Sequence, residues 1–142
     1  MIRFLLVQNY QGKTRLARWY TKIDDKEKRR LQVNIHRMLV SRDSRYSNFI
    51  EFMNYKLIYK RFAGLYFLVC VDSSDNELGM LEFIQFFVET LDAYFGNVCE
   101  LDLIFNFHKV YGLMDELVLG GEILETSKTV VLNTLRKVEA QE

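Results

Sequence analysis

Residues able to drive a reaction are few in this chain, and their spacing fits none of the common catalytic devices. His36 and His108 are its only histidines, and neither has Cys, Asp or Glu at a metal-ligand spacing, so no metal is expected. His36 falls on the charged side of a helical pattern, where a solvated imidazole is the simplest reading. Cys70 and Cys99 lack a CxxC partner and both lie in apolar surroundings. They read as reduced, buried packing residues, with one structural disulfide as the alternative. No GxSxG, HExxH or phosphate-cradling glycine loop is present. The stretch QGKT resembles the tail of a P-loop but lacks the upstream glycine and the strand–loop–helix setting that would hold a phosphate. No cofactor and no enzymatic activity are expected.

The gross composition narrows the classes further. At 142 residues the chain fits one domain, 1–142, with a core large enough to fold without disulfide or metal. Lys plus Arg and Asp plus Glu both total 19, so the basic footprint of a nucleic-acid protein is missing. The N-terminal MIRFLLVQN has no basic segment or cleavage site and reads as a strand, not a signal peptide. No apolar window is long enough to span a bilayer, and a cytosolic chain is expected.

The elements that must position any site follow from periodicity. Ile2 to Val7 is apolar on both faces, with Ile2, Phe4 and Leu6 on one and Leu5 and Val7 on the other, which suits an inner strand. RLARWYTKI reads as an antiparallel second strand after a glycine loop. Asp24 with Glu27 three residues on predicts a helix start, followed by Leu31, Ile35, Met38 and Leu39 on one face. NFIEF, KLIYKRF and LYFLVCV predict three strands joined at Met53-Asn54 and Ala63-Gly64. Asp75 or Asn76 can cap a helix from about Glu77 to Phe95, whose core stripe is Leu81, Ile84, Val88, Leu91 and Phe95.

Met80, Phe83, Phe86 and Phe87 fall outside that stripe, which predicts a partner protein on Phe83, Phe86 and Phe87. HKVYGLMDELVLGG continues helically to a stop at Gly120-Gly121, and a last helix capped by Thr126 or Ser127 turns Val130, Val131 and Leu135 inward. The order ββαβββα plus C-terminal helices gives an α+β fold, an antiparallel sheet with helices packed on it.

MIRFLLVQNYQGKTRLARWY, YKRFAGLYFLVCVD and YFGNVCELDLIFNFHKVYGLMDEL resemble the small, sigma subunits of the heterotetrameric clathrin adaptor complexes, from Met1 to about Lys137. The resemblance implies a longin-like five-stranded antiparallel sheet flanked by helices, which agrees with the order read from periodicity. SNFIEFMNYKLIY and the stop at Glu142 look like the plasma-membrane endocytic member, which the resemblance favours, although DNEL and LGGEILETSK resemble the trans-Golgi/endosomal form at least as well. A longin-type structural module of another vesicle coat is the further alternative.

What the resemblance implies about function is specific. Sigma subunits of this type help bind cargo tails with an acidic dileucine signal: an acidic residue, three arbitrary residues, then Leu and Leu or Ile. Ala63, Leu65, Val88, Asn97, Val98 and Leu103 match the positions lining the leucine pockets, and Arg15 matches the basic contact. Implied partners are a large alpha-type adaptin, a beta-type adaptin and a medium (mu) chain. Clathrin and membrane phosphoinositides are reached through these sister subunits, at coated pits on the cytosolic face of the plasma membrane. Read from the residues alone, Val88 and Leu65 are ordinary core positions and Arg15 is a solvated charge. Only the resemblance singles them out.

Overall fold

The computed structural model describes residues 1–42 and 48–123. Its frame is a five-stranded antiparallel sheet in the order β2-β1-β5-β4-β3, made of β1 (Ile2–Asn9), β2 (Thr14–Trp19), β3 (Phe49–Phe52), β4 (Tyr55–Phe62) and β5 (Leu65–Asp72). β1 and β5 lie inside, which is why both read as continuous apolar runs. Helix α1 (Asp25–Val40) covers one face, packing Leu31, Ile35 and Leu39 on Phe4, Leu6, Leu57, Tyr59, Leu68 and Cys70. Helices α2 (Glu77–Phe95), α3 (Glu100–Phe105) and α4 (Phe107–Leu117) cover the other, over Leu5, Val7, Leu16, Leu65, Phe67, Val69 and Val71. The expected α+β architecture is observed, with an apolar core on each side of the sheet.

Simple alternation fails at two points, both at an arginine. Along β1 and β5 the pairing runs Ile2↔Val71 and then Phe4↔Cys70, so Arg3 is an extra residue. The bulge moves Ile2 to the face of Leu5 and Val7, away from Phe4 and Leu6 where alternation had put it. It also turns Arg3 onto Asp72, at 2.7 Å. The second bulge lies in β2: Val7 opposes Leu16, but Gln8 opposes Thr14, which leaves Arg15 unmatched.

Local signals set the helix ends. Asp24 caps α1, its carboxylate accepting from the Glu27 N–H at 2.8 Å, and Asn76 caps α2 by accepting from the Gly79 N–H at 3.1 Å. Asp75, the other candidate cap, accepts instead from the Asp72 N–H at 3.0 Å. α2 ends at Gly96 in the left-handed region, φ 64°.

The stop expected at Gly120-Gly121 is a different structure. α4 ends at Leu117, and β6 (Val118–Leu119) pairs with β7 (Glu122–Ile123) across a two-glycine turn with φ 56° and 91°. Positive φ at both central residues is what a tight hairpin of this kind requires. A Cβ on Gly121 would stand 2.4 Å from the Ile2 carbonyl oxygen, so the close approach also demands glycine. The expected last helix, with Thr126, Ser127, Val130, Val131 and Leu135, lies outside the described residues.

Candidate functional site

The second bulge sets the polar half of the site. Leu16 points into the core beneath α2–α4, so strict alternation would send Arg15 toward α1. The extra residue keeps Arg15 on the α3 side, while Thr14 turns to α1 and donates to Gln32 Oε1 at 2.6 Å. Arg15 Nε then donates to Glu100 Oε2, in the first turn of α3, at 2.8 Å. The same oxygen accepts from Asn9 Nδ2 at 3.0 Å. Asn9 is itself fixed: it is 4% exposed, and its Oδ1 accepts from the Gln11 and Lys13 amides, both at 2.9 Å. Donation by Arg15, then by Asn9, holds the Glu100 carboxyl below its ordinary range.

β2 is an edge strand, and α4 secures it. Tyr111 Oη accepts from the Ala17 N–H at 3.0 Å and donates to the Ala17 carbonyl at 3.1 Å, satisfying both backbone groups of that residue. Arg18 meets Asp115 through Nε at 3.1 Å and Nη2 at 2.7 Å. The strand that carries Arg15 is therefore anchored before the bulge at Thr14 and after it at Ala17 and Arg18.

The apolar half lies beside it. Leu65 starts β5, Val88 sits past the middle of α2, and Val98 and Leu103 bracket the start of α3. All four belong to the core under α2–α4, with exposures of 0%, 1%, 4% and 0%. Asp92 guides the chain between them. Its carbonyl accepts from the Gly96 and Asn97 amides at 2.9 and 3.2 Å, and its carboxylate accepts from the Val98 N–H at 3.0 Å. The two remaining expected residues sit in turns at the rim. Ala63 and Asn97 are exposed, both in the left-handed region with φ 54° and 75°. Leu65, Val88, Val98 and Leu103 are thus buried in the one core cluster under α2–α4, on the side of the sheet to which Arg15 turns, and Asn97 is exposed at its rim.

Other expectations need correction. Phe83 and Phe87 offer no partner surface in this fold, since they are 6% and 2% exposed and pack edge-on to one another inside the chain's own core. The sheet is wide enough for α2 to bury a broad arc rather than one stripe. Phe86 is half-buried along a groove of about 440 Å³ shared with Leu78, Leu81 and Glu82. Large exposed apolar residues on α3 and at the start of α4 are Leu101, Phe105 and Phe107, at 58%, 76% and 43%. Cys99 is exposed rather than buried, because it precedes α3, whereas Cys70 is buried and its thiol is pushed up to about 12 by burial. Both cysteines are free, so the disulfide alternative is dropped.

His36 is half-buried, bonded through Nε2 to the Tyr10 carbonyl at 2.9 Å, and its ring lies where a Cβ on Gly12 would fall. QGKT is the tip of the β1–β2 hairpin and leads into a strand, not a helix. Among the described residues no three His, Cys, Asp or Glu gather at a metal-binding distance, and no helix is long and apolar enough to cross a membrane. Sequence reasoning missed Asn9 and Glu100. Glu100 sat in plain view as a charge at the start of an apolar run, but nothing local ties it to a strand 85 residues earlier.

Comparison with known proteins bears on the whole chain. The family model described as clathrin adaptor complex small chain matches residues 1–142. The chain is 58% identical to the AP-2 complex subunit sigma of Neurospora crassa, over 100% of both chains. It is 55% identical to the AP-1 complex subunit sigma-2 of Dictyostelium discoideum, over 93% of this chain and 86% of that one. A chain in a homology model of the full-length AP-3 complex in a stretched open conformation superposes with a TM-score of 0.80 at 30% identity, covering 99% of this chain and 95% of that one. Sheet order, helical covers and family match coincide from the first strand onward: the chain belongs to the clathrin adaptor complex small chain family.

Proposed function

We propose that this chain is the sigma subunit of the plasma-membrane endocytic adaptor and that it binds acidic dileucine signals in cargo tails. Membership in the family makes it a non-catalytic subunit of an adaptor complex. The observation that carries the cargo reading is the bulge at Arg15, which sets a cation on the same side of the sheet as Leu65, Val88, Val98 and Leu103. An acidic residue followed at short range by two leucines presents the complementary chemistry. Burying two leucines contributes roughly 3–6 kcal/mol, and the exposed arginine–carboxylate pair adds about 0–1 kcal/mol, so the leucines hold the peptide and Arg15 selects it. The four apolar residues are buried in the isolated chain, so binding requires the loops at Ala63 and Asn97 to yield.

The partners in this reading are an alpha-type adaptin, a beta-type adaptin and a mu chain, with exposed Phe105 and Phe107 supporting an assembled state. Attachment to the plasma membrane is assigned to the sister subunits. The test is an anisotropy titration of the purified complex with an acidic dileucine peptide and its dialanine counterpart. The dialanine peptide should bind at least a hundredfold more weakly, a loss of about 2.8 kcal/mol. Equal binding of the two would end the cargo reading. The AP-1-type sigma at 55% identity favours a second placement, at the trans-Golgi and endosomes. Recovery of gamma adaptin instead of alpha with the tagged chain would select it.

A further inference from the structure

On the same strand, two arginines meet acids in different ways. Arg18 is held at two points, giving both Nε and Nη2 to Asp115. Arg15 gives Glu100 its Nε alone, and among the described residues its terminal nitrogens have no protein acceptor. Its side chain remains 27% exposed. The guanidinium is a planar fork of donors, so holding Nε leaves the outer edge free for a second carboxylate. The acceptor itself is anchored: Glu100 Oε2 also takes the Asn9 amide, and buried Asn9 is fixed by the backbone of its own hairpin. Asp115 takes the Nε–Nη2 edge of Arg18, whereas Glu100 takes Nε alone and leaves both terminal nitrogens of Arg15 open.

We propose that Glu100 is a positioning residue of the binding site, accepting from Arg15 Nε and so presenting the terminal nitrogens to the carboxylate of an acidic peptide. The inference rests on the dileucine reading above and names the residue that sets its preference for acid. Asn9 is the second member of the device, since it fixes where Glu100 can stand.

The test uses the assembled complex with this chain as wild type, Glu100→Ala and Glu100→Gln. Each is titrated with two dileucine peptides that differ only in Glu or Gln at the acidic position. The readout is the ratio of the two dissociation constants, which a general weakening of the fold would leave unchanged. Wild type should favour the acidic peptide about three- to fivefold, the scale of one exposed arginine–carboxylate pair. Glu100→Ala should bring the ratio to about one, while Glu100→Gln, which keeps an acceptor for Arg15 and Asn9, should stay within about twofold of wild type. An unchanged ratio in Glu100→Ala overturns the proposal, and a raised ratio in both variants would make Glu100 a competitor instead. A wild-type complex that binds neither peptide refutes the dileucine reading itself. Binding of both without preference leaves that reading standing and refutes the role of Glu100.

Discussion

Leu101 and Leu103 lie two residues apart on α3 and should respond to the same substitution in opposite ways. Leu103 is 0% exposed within the core under α2–α4, and Leu101 is 58% exposed. Truncation of Leu103 to alanine removes buried carbons and leaves a void that α3 and α4 only partly close, which costs roughly 2–5 kcal/mol. At Leu101 the same change should fall within about 0.5 kcal/mol. A domain of this kind has only about 5–15 kcal/mol in total, so Leu103→Ala removes a large share. For a chain near this size each kcal/mol moves Tm by about 2–4 °C, so Leu103→Ala should lower it by roughly 4–20 °C and Leu101→Ala by about 2 °C or less. The assay is thermal unfolding of the purified complex, with hydrogen exchange over α3 and α4 to locate the loss. If the two variants unfold alike, α3 is not packed as described, and the wall around Leu103 is an open pocket rather than core.

Three other outcomes follow from particular sites. Ala63 holds φ 54° in the turn before β5, so Ala63→Gly should relieve strain of about 1 kcal/mol and raise the midpoint of chemical denaturation. Iodoacetamide should modify Cys99 well before Cys70, whose buried thiol is pushed up to about 12, as read by peptide mass spectrometry. The Glu100 carboxyl should titrate below the ordinary glutamate range by NMR. Because its folded value is lowered, the ion pair's contribution is complete above the unfolded value and disappears as pH falls through the folded one. A midpoint at or above that of an ordinary glutamate would mean that Arg15 and Asn9 do not hold this carboxylate in solution.

The sequence made the fold legible wherever a local pattern and a long-range contact agreed. The stripe from Leu81 to Phe95 placed α2 at Glu77–Phe95, and the Asp24 and Asn76 caps fixed two helix starts. Leu65 to Val71 read as a central strand because both of its faces are covered. What escaped depends on partners distant in sequence. A bulge is a mismatch between two strands, so neither the side change at Ile2 nor the turning of Arg15 shows in one strand read alone. Gly120-Gly121 carries the same composition whether it stops a helix or turns a hairpin, and the pairing of Val118 with Ile123 decides it. Phe83 and Phe87 looked surplus because the width of the sheet beneath α2 is a tertiary quantity. The apolar site residues were singled out by family resemblance, since burial alone makes Val88 and Leu103 ordinary core.

The most direct measurement replaces each leucine of an acidic dileucine peptide with a photoreactive leucine, crosslinks it to the assembled complex and maps the adducts by mass spectrometry. Adducts are expected in segments carrying Leu65, Val88, Val98 and Leu103, all within one core cluster of this chain. Adducts confined to a sister subunit, or scattered over exposed Phe105 and Phe107 with none at those four residues, would contradict it.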